Sequence, residues 1–307
     1  MAPAYALTIG GRIPWSAPRV PRGMIRSLLA PLLALSACSP PALLTGLDRL
    51  TPGGDSRQVA SGVAFTPALK LDVYAPARAR SGAALPVVIF YYGGGWVGGS
   101  RGGYGFAGSA YASKGFVTVV PDYRLVPGVR FPTFVEDSAQ AVRWTRDNIA
   151  RFGGDPRRIN LAGHSAGAYN AAMIALDGHY LKDIGVDPKI VRSAALLSGP
   201  YDFLPFDEQR GRDALGAWPR PLETQPIHFA SAAAPPMLLA TGNADDIVRP
   251  RNSEALAARL GALGVPVVLK LYPGKSHVDL AKSLSKPFRG TTPALADSAA
   301  FMADHSR

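Results

Sequence analysis

The stretch Arg158-Ile-Asn-Leu-Ala-Gly163-His-Ser165-Ala-Gly167-Ala-Tyr-Asn-Ala-Ala-Met-Ile-Ala-Leu176 decides the fold. Its first part, Arg158 to Ala162, is short and apolar and reads as a buried strand. Its last part, Ala166 to Leu176, is small, apolar and helical in character. Between them stands G-x-S-x-G, the pattern of a turn tight enough to expose a serine hydroxyl at a helix amino terminus. Glycine is needed on both sides because a side chain there would clash, and the serine itself is expected at strained φ/ψ. Ser165 is therefore the candidate nucleophile, placed where the helix dipole favours developing negative charge.

Outward from this stretch the chain alternates strands and helices. Leu69 to Tyr74, Pro86 to Tyr91, Phe116 to Val120, Ser193 to Leu197, Pro236 to Ala240 and Val265 to Tyr272 read as further strands. Phe134 to Phe152 has helical periodicity and stops at Gly153-Gly154, and Ser253 to Leu263 reads as a helix. Apolar strands separated by helices imply a mostly parallel sheet with helices on both faces, whose ligands bind at the carboxyl ends of the strands. Residues 200–232 break the rhythm with Pro205, Pro219, Pro221 and Pro226 beside Phe203, Phe206 and Trp218. They read as a small lid insertion over the site.

Two more parts of a site follow from position. Three glycines, Gly93 to Gly95, come directly after the strand Pro86 to Tyr91 and let backbone N–H groups approach a ligand closely. Of the five histidines, His164 lies inside the elbow with its side chain expected to point away from the reaction. His179 follows the elbow helix too closely, His228 lies in the insertion, and His305 is two residues from the carboxyl end. His277, on a loop after the last strand, remains as the base. The acid is expected after the strand Pro236 to Ala240, where Asp245 and Asp246 stand side by side in Gly242-Asn-Ala-Asp-Asp-Ile-Val248. Asp122 and Asp155 read as structural.

Tyr92-Gly-Gly-Gly-Trp96 resembles the His-Gly-Gly-Gly-Trp motif of the carboxylesterases and hormone-sensitive-lipase-like esterases of the α/β-hydrolase superfamily, with Tyr92 where that family has His. Leu71-Asp-Val-Tyr-Ala-Pro76, Pro121-Asp-Tyr-Arg-Leu125 and Phe152-Gly-Gly-Asp-Pro156 are similar to that family too. The resemblance runs through roughly residues 67–280. It implies an α/β-hydrolase fold and hydrolysis of a carboxylic ester through an acyl-enzyme, with no organic cofactor. It places the acid at Asp245, by likeness to G-x-x-D-x-x-V. It assigns oxyanion N–H donors to Gly94, Gly95 and Ala166. The arylformamidases share a similar Gly-Gly-x-Trp loop, which keeps amide hydrolysis as an alternative. A non-catalytic, membrane-tethered binding domain on a hydrolase scaffold is another. No metal site is expected, since neither H-E-x-x-H nor a paired-carboxylate pattern occurs.

Composition limits the partners. With 47% hydrophobic and 18% charged residues the chain is rich enough to bury a core and too apolar to stay disordered. Its formal charge of +11 comes from scattered arginines and lysines without a block, so no nucleic-acid partner is expected. Four of those charges lie in residues 1–37, which leaves +7 for the rest. Residues 1–37 contain no acid, and end in the short apolar run Ser27 to Ala37, in the manner of an export signal. Met24 opens a more typical signal of this kind. Leu35-Ser-Ala-Cys38 resembles the lipobox of bacterial lipoproteins, in which the Cys is lipidated; Cys38 is the single cysteine. The expectation is an exported protein on the periplasmic side, anchored through Cys38. Residues 38–66 read as a tether and residues 67–307 as the catalytic domain.

Overall fold

The structure is a computed structural model that describes residues 40–78, 82 and 84–307. The signal peptide expected over 1–37 and the lipidation site Cys38 lie outside the described residues.

Eight strands form one sheet: β1 (Ser56–Ala64), β2 (Lys70–Pro76), β3 (Leu85–Tyr91), β4 (Val117–Pro121), β5 (Gly154–His164), β6 (Val191–Leu197), β7 (Met237–Gly242) and β8 (Val267–Tyr272), in the order β1-β2-β4-β3-β5-β6-β7-β8. Only β1–β2 and β2–β4 pair antiparallel; every pair from β4 to β8 is parallel. Strand side chains alternate between faces, so a run of consecutive buried residues means that both faces are covered. β4 and β7 are buried throughout, and β3 from Val87 to Tyr91. This is the α/β-hydrolase arrangement that the sequence implies.

The helices α1 (Pro40–Leu50), α2 (Gly105–Ala112), α3 (Thr133–Asn148), α4 (Ala166–Leu176), α5 (His179–Lys182), α6 (Gln209–Leu215), α7 (Arg251–Ala262), α8 (His277–Lys282) and α9 (Ala294–Asp304) complete the described part of the chain. The elbow helix α4 begins and ends where the sequence places it. Its small residues let it lie close to the strands, and every residue but Ala175 is buried.

One expectation needs correction. Residues 40–66 are not an extended tether: they fold as α1 and the edge strand β1, which pairs with β2 from Ser56↔Pro76 to Ala64↔Lys70. Polar residues of α1 anchor it to the rest of the domain. Thr45 Oγ1 donates to the Gly103 carbonyl at 2.7 Å, and Asp48 Oδ1 accepts the Lys286 N–H at 2.6 Å. The insertion 200–232 holds α6 and two single 3-10 turns, Pro221–Thr224 and Pro226–Phe229. Among the described residues no helix is long and apolar enough to cross a membrane.

Candidate active site

Sheet register brings the pieces together. Tyr91 pairs with Gly163, so the loop after β3 and the elbow after β5 leave neighbouring strand ends side by side. Gly242 pairs with Tyr272, which does the same for the loops after β7 and β8. Ser165 sits at φ 55°, ψ −124°, a backbone conformation that L residues seldom adopt. The elbow is held from both sides: the Ser165 N–H donates to the Leu197 carbonyl at 2.9 Å, and a Cβ on Gly167 would meet the Tyr91 carbonyl oxygen at 2.0 Å. Only glycine fits there, because the obstacle is backbone.

Ser165, His277 and Asp245 form one hydrogen-bonded line. Ser165 Oγ lies 2.9 Å from His277 Nε2, and His277 Nδ1 lies 2.9 Å from Asp245 Oδ2. Asp245 Oδ1 accepts from the N–H groups of Ile247 (3.1 Å) and Val248 (2.8 Å). Burial pushes the Asp245 carboxyl up, but the bond and charge of His277 and the Val248 N–H outweigh it and hold the carboxyl below its ordinary value. Asp246, its rival in the sequence, is exposed on the rim of the pocket.

The loop after β3 turns through Gly94 (φ 137°), Gly95 (φ 61°) and Trp96 (φ 60°). The Gly94 carbonyl accepts from Val97 and Gly98, closing the turn. Among the described residues no protein acceptor takes the N–H of Gly94, Gly95 or Ala166. Gly95 and Ala166 line the pocket with Ser165; Gly94 stands one residue back. Tyr92, in the family's His position, is buried and supports the loop through a stack of tyrosines. Its ring lies 4.4 Å from that of Tyr123 and 5.9 Å from that of Tyr104. The Tyr123 hydroxyl donates to the Tyr92 carbonyl at 2.7 Å. Burial, with Tyr92 and Tyr104 beside it, pushes the Tyr123 hydroxyl well up, so it stays a donor.

The pocket beside Ser165 has a volume of about 120 Å³. Trp96 and Val248 line its apolar part from the body of the domain, and Phe203 and Phe206 from the insertion. Arg210 of α6 lies against Gly95, where a Cβ would meet its Cδ at 2.6 Å. The insertion thus covers the site, as its prolines and aromatics suggest. Groups of His, Cys, Asp and Glu able to hold a metal ion are absent among the described residues.

Sequence reasoning missed the part played by His164. Its ring does not point away from the site but lies behind the base, 4.9 Å from the His277 ring, and its Nε2 donates to the His277 carbonyl at 3.0 Å. Burial first, then the charge of His277, pushes its pKa down to about 3, against the carbonyl bond that raises it. A neutral ring there avoids a second positive charge beside the base. The only signal was its place in the elbow, which is silent about what a side chain one residue from the serine will touch. The sign of its effect on stability follows. Unfolded histidine titrates near about 6.5, so the unfolded chain takes up the proton first as pH falls. Stability supplied by neutral His164 is complete above about pH 6.5 and is lost toward pH 3, by up to about 1.4 kcal/mol per pH unit. Urea midpoints across this range should fall less steeply for His164→Gln than for the wild type. Equal slopes would show that the ring does not carry this linkage.

A tight strand-turn-helix elbow at the carboxyl edge of a mostly parallel sheet defines the class as α/β-hydrolase. Residues 71–260 match BD-FAE, more than half of the chain, and the protein belongs to that family. It is 32% identical over 260 residues to a probable isoprenylcysteine alpha-carbonyl methylesterase of Oryza sativa subsp. japonica, covering 76% of this chain and 60% of that protein. The chain thus spans about three-fifths of the length of the first curated relatives it matches. Among solved structures it resembles a hyperthermophilic esterase of the archaeon Pyrobaculum calidifontis, with TM-score 0.70, 25% identity, and coverage of 87% of this chain and 91% of that one. It also resembles the butyrate-bound thermophilic esterase of Thermogutta terrifontis, with TM-score 0.65, 25% identity, and coverage of 82% and 94%.

Proposed function

We propose that this chain is a serine carboxylesterase acting on short-chain, aryl or acetyl esters through a Ser165–His277–Asp245 triad. The observation that carries the reading is the continuous line of two 2.9 Å contacts from the Ser165 hydroxyl through His277 to Asp245. Ser165 Oγ attacks the ester carbonyl while His277 Nε2 takes its proton. The tetrahedral oxyanion is held by the N–H groups of Gly94, Gly95 and Ala166. The same proton, returned by His277, goes to the departing alcohol oxygen and leaves an acyl-Ser165. Water then attacks the acyl carbon, giving a proton to His277, which passes it to Ser165 Oγ as the acyl C–O bond breaks, so the acid and free Ser165 result. Asp245 keeps the imidazole oriented and stabilises its positive charge without accepting the proton.

The small aromatic pocket argues for a short acyl group. The butyrate held by the Thermogutta terrifontis esterase is of that size. Turnover of p-nitrophenyl esters should be highest for acetate to butyrate and fall at octanoate. One equivalent of paraoxon should abolish it, with the added phosphoryl mass on the peptide that contains Ser165. Modification elsewhere, or unimpaired turnover after exposure, would refute the assignment.

We also propose that the protein is exported and held on the periplasmic side by lipid on Cys38. The support is the acid-free, arginine-bearing segment before Leu35-Ser-Ala-Cys38. Protein from the membrane fraction should begin at residue 38 and carry acyl mass on that cysteine; an unacylated amino terminus would overturn this.

A further inference from the structure

Helix α1 is inverted. In a surface helix the apolar side faces the core and the polar side faces water. Here the buried residues are Thr45 and Asp48. Three leucines face outward: Leu43 is 39% exposed, Leu47 47% and Leu50 82%. At about 100° per residue these leucines fall within an arc of about 60°, opposite Thr45 and Asp48. The polar side is fixed to the domain. Besides accepting the Lys286 N–H, Asp48 offers its backbone carbonyl to Lys286 Nζ at 2.9 Å, and Thr51 offers its own at 3.1 Å. Thr45 Oγ1 also accepts the Phe106 N–H at 3.3 Å. The helix cannot turn its leucines inward without breaking these bonds.

We infer that the leucine face of α1 rests in the surface of a lipid bilayer. The occupant is fixed by what stands next to it in the chain. Pro40 is two residues after Cys38, so at about 3.5 Å per residue the two Cα atoms are at most about 7 Å apart. An eleven-residue helix is about 16 Å long. Anchored at one end, it must lie near the headgroup region, where an apolar stripe is buried and an exposed cation meets lipid phosphates. Arg49, exposed on the flank of the helix and without an ion pair among the described residues, is a cation within reach of that region. Lipid on Cys38 holds the chain at the membrane; the leucine face adds buried apolar area to that anchor, and because α1 is bolted to the domain it also fixes how the site faces the membrane.

The helix owes its expected location to the reading of Cys38, but it can be tested without acylation. The chain from residue 38, the expected mature start, with Cys38→Ser is given Leu47→Cys and labelled there with an environment-sensitive fluorophore. A second version carries Leu222→Cys instead, on the insertion and 60% exposed in the wild type. Vesicles of phosphatidylethanolamine and phosphatidylglycerol should shift the emission at position 47 to the blue and raise its intensity about twofold or more, and leave position 222 unchanged. Adding Leu43→Gln and Leu50→Gln should weaken the vesicle response at position 47 about tenfold while ester turnover stays as before. No response at position 47 would overturn the inference. A blue shift without vesicles that grows with protein concentration would overturn it too, since the face would then be covered by a second copy of the chain. Ester turnover reports separately on the catalytic reading.

Discussion

Ser165→Ala should lower kcat/KM for p-nitrophenyl acetate by about 10⁴- to 10⁶-fold, nearly all of it in kcat. The substitution removes one oxygen. Alanine keeps the Cβ that the φ 55° turn already accommodates, so the elbow, its N–H bond to Leu197 and the pocket lined by Trp96, Phe203 and Phe206 should persist. What disappears is the atom 2.9 Å from His277 Nε2, and with it any acyl-enzyme. Substrate affinity rests on walls that do not change, so KM should move little. The residual rate would come from water near the N–H groups of Gly94, Gly95 and Ala166, which still favour an oxyanion. A denaturation midpoint close to wild type separates this from unfolding. Retention of more than about one per cent of wild-type turnover, with contaminating hydrolases excluded by paraoxon titration, would remove Ser165 from the mechanism.

The same chemistry explains what could be read in the sequence. Where backbone must approach backbone, only glycine serves, and the sequence records it: Gly163 and Gly167 at the elbow, Gly93 and Gly94 after β3. The central strands were legible because burial on both faces makes them apolar without interruption. β1 was not, because it is an edge strand with no fully buried residue, and its polar half carries no alternation strong enough to read. α1 failed for the opposite reason. Three of its four leucines point outward, only Leu44 packing on the core, and its anchoring groups are polar, so its pattern contradicts the rule by which helices are recognised. His277 could be found by chain order, but the line joining it to Ser165 and Asp245 depends on the side-by-side order of four strands, β5 to β8. The stack of Tyr92, Tyr104 and Tyr123 under the oxyanion loop, and His164 behind the base, are contacts between residues distant in the chain. Nothing local distinguishes them from ordinary core.

The choice between two adjacent carboxylates is where the sequence was least decisive and where the geometry makes the second large prediction. Asp245→Asn should lower kcat by about 10⁴-fold with KM little changed. The reason lies in which oxygen is already committed. Asp245 Oδ1 accepts two backbone N–H groups, from Ile247 and Val248, and an amide nitrogen cannot replace it without facing both donors. Asparagine must therefore keep its oxygen there and turn its NH₂ toward His277 Nδ1. A donor at that position requires Nδ1 to accept, which puts the ring proton on Nε2, facing Ser165. An imidazole in that tautomer cannot take the serine proton, although every heavy atom stays in place. In the wild type, His277 and the Val248 N–H hold the carboxyl below its ordinary value, so it remains an ionised acceptor for the His277 Nδ1–H as pH falls toward about 3.9. Asp246→Asn is the control: that side chain is exposed on the pocket rim, and its loss should change kcat by no more than about threefold, as for a surface charge. An Asp245→Asn enzyme within tenfold of wild type, or an Asp246→Asn enzyme equally impaired, would mean that the base is oriented by something other than the contact at 2.9 Å.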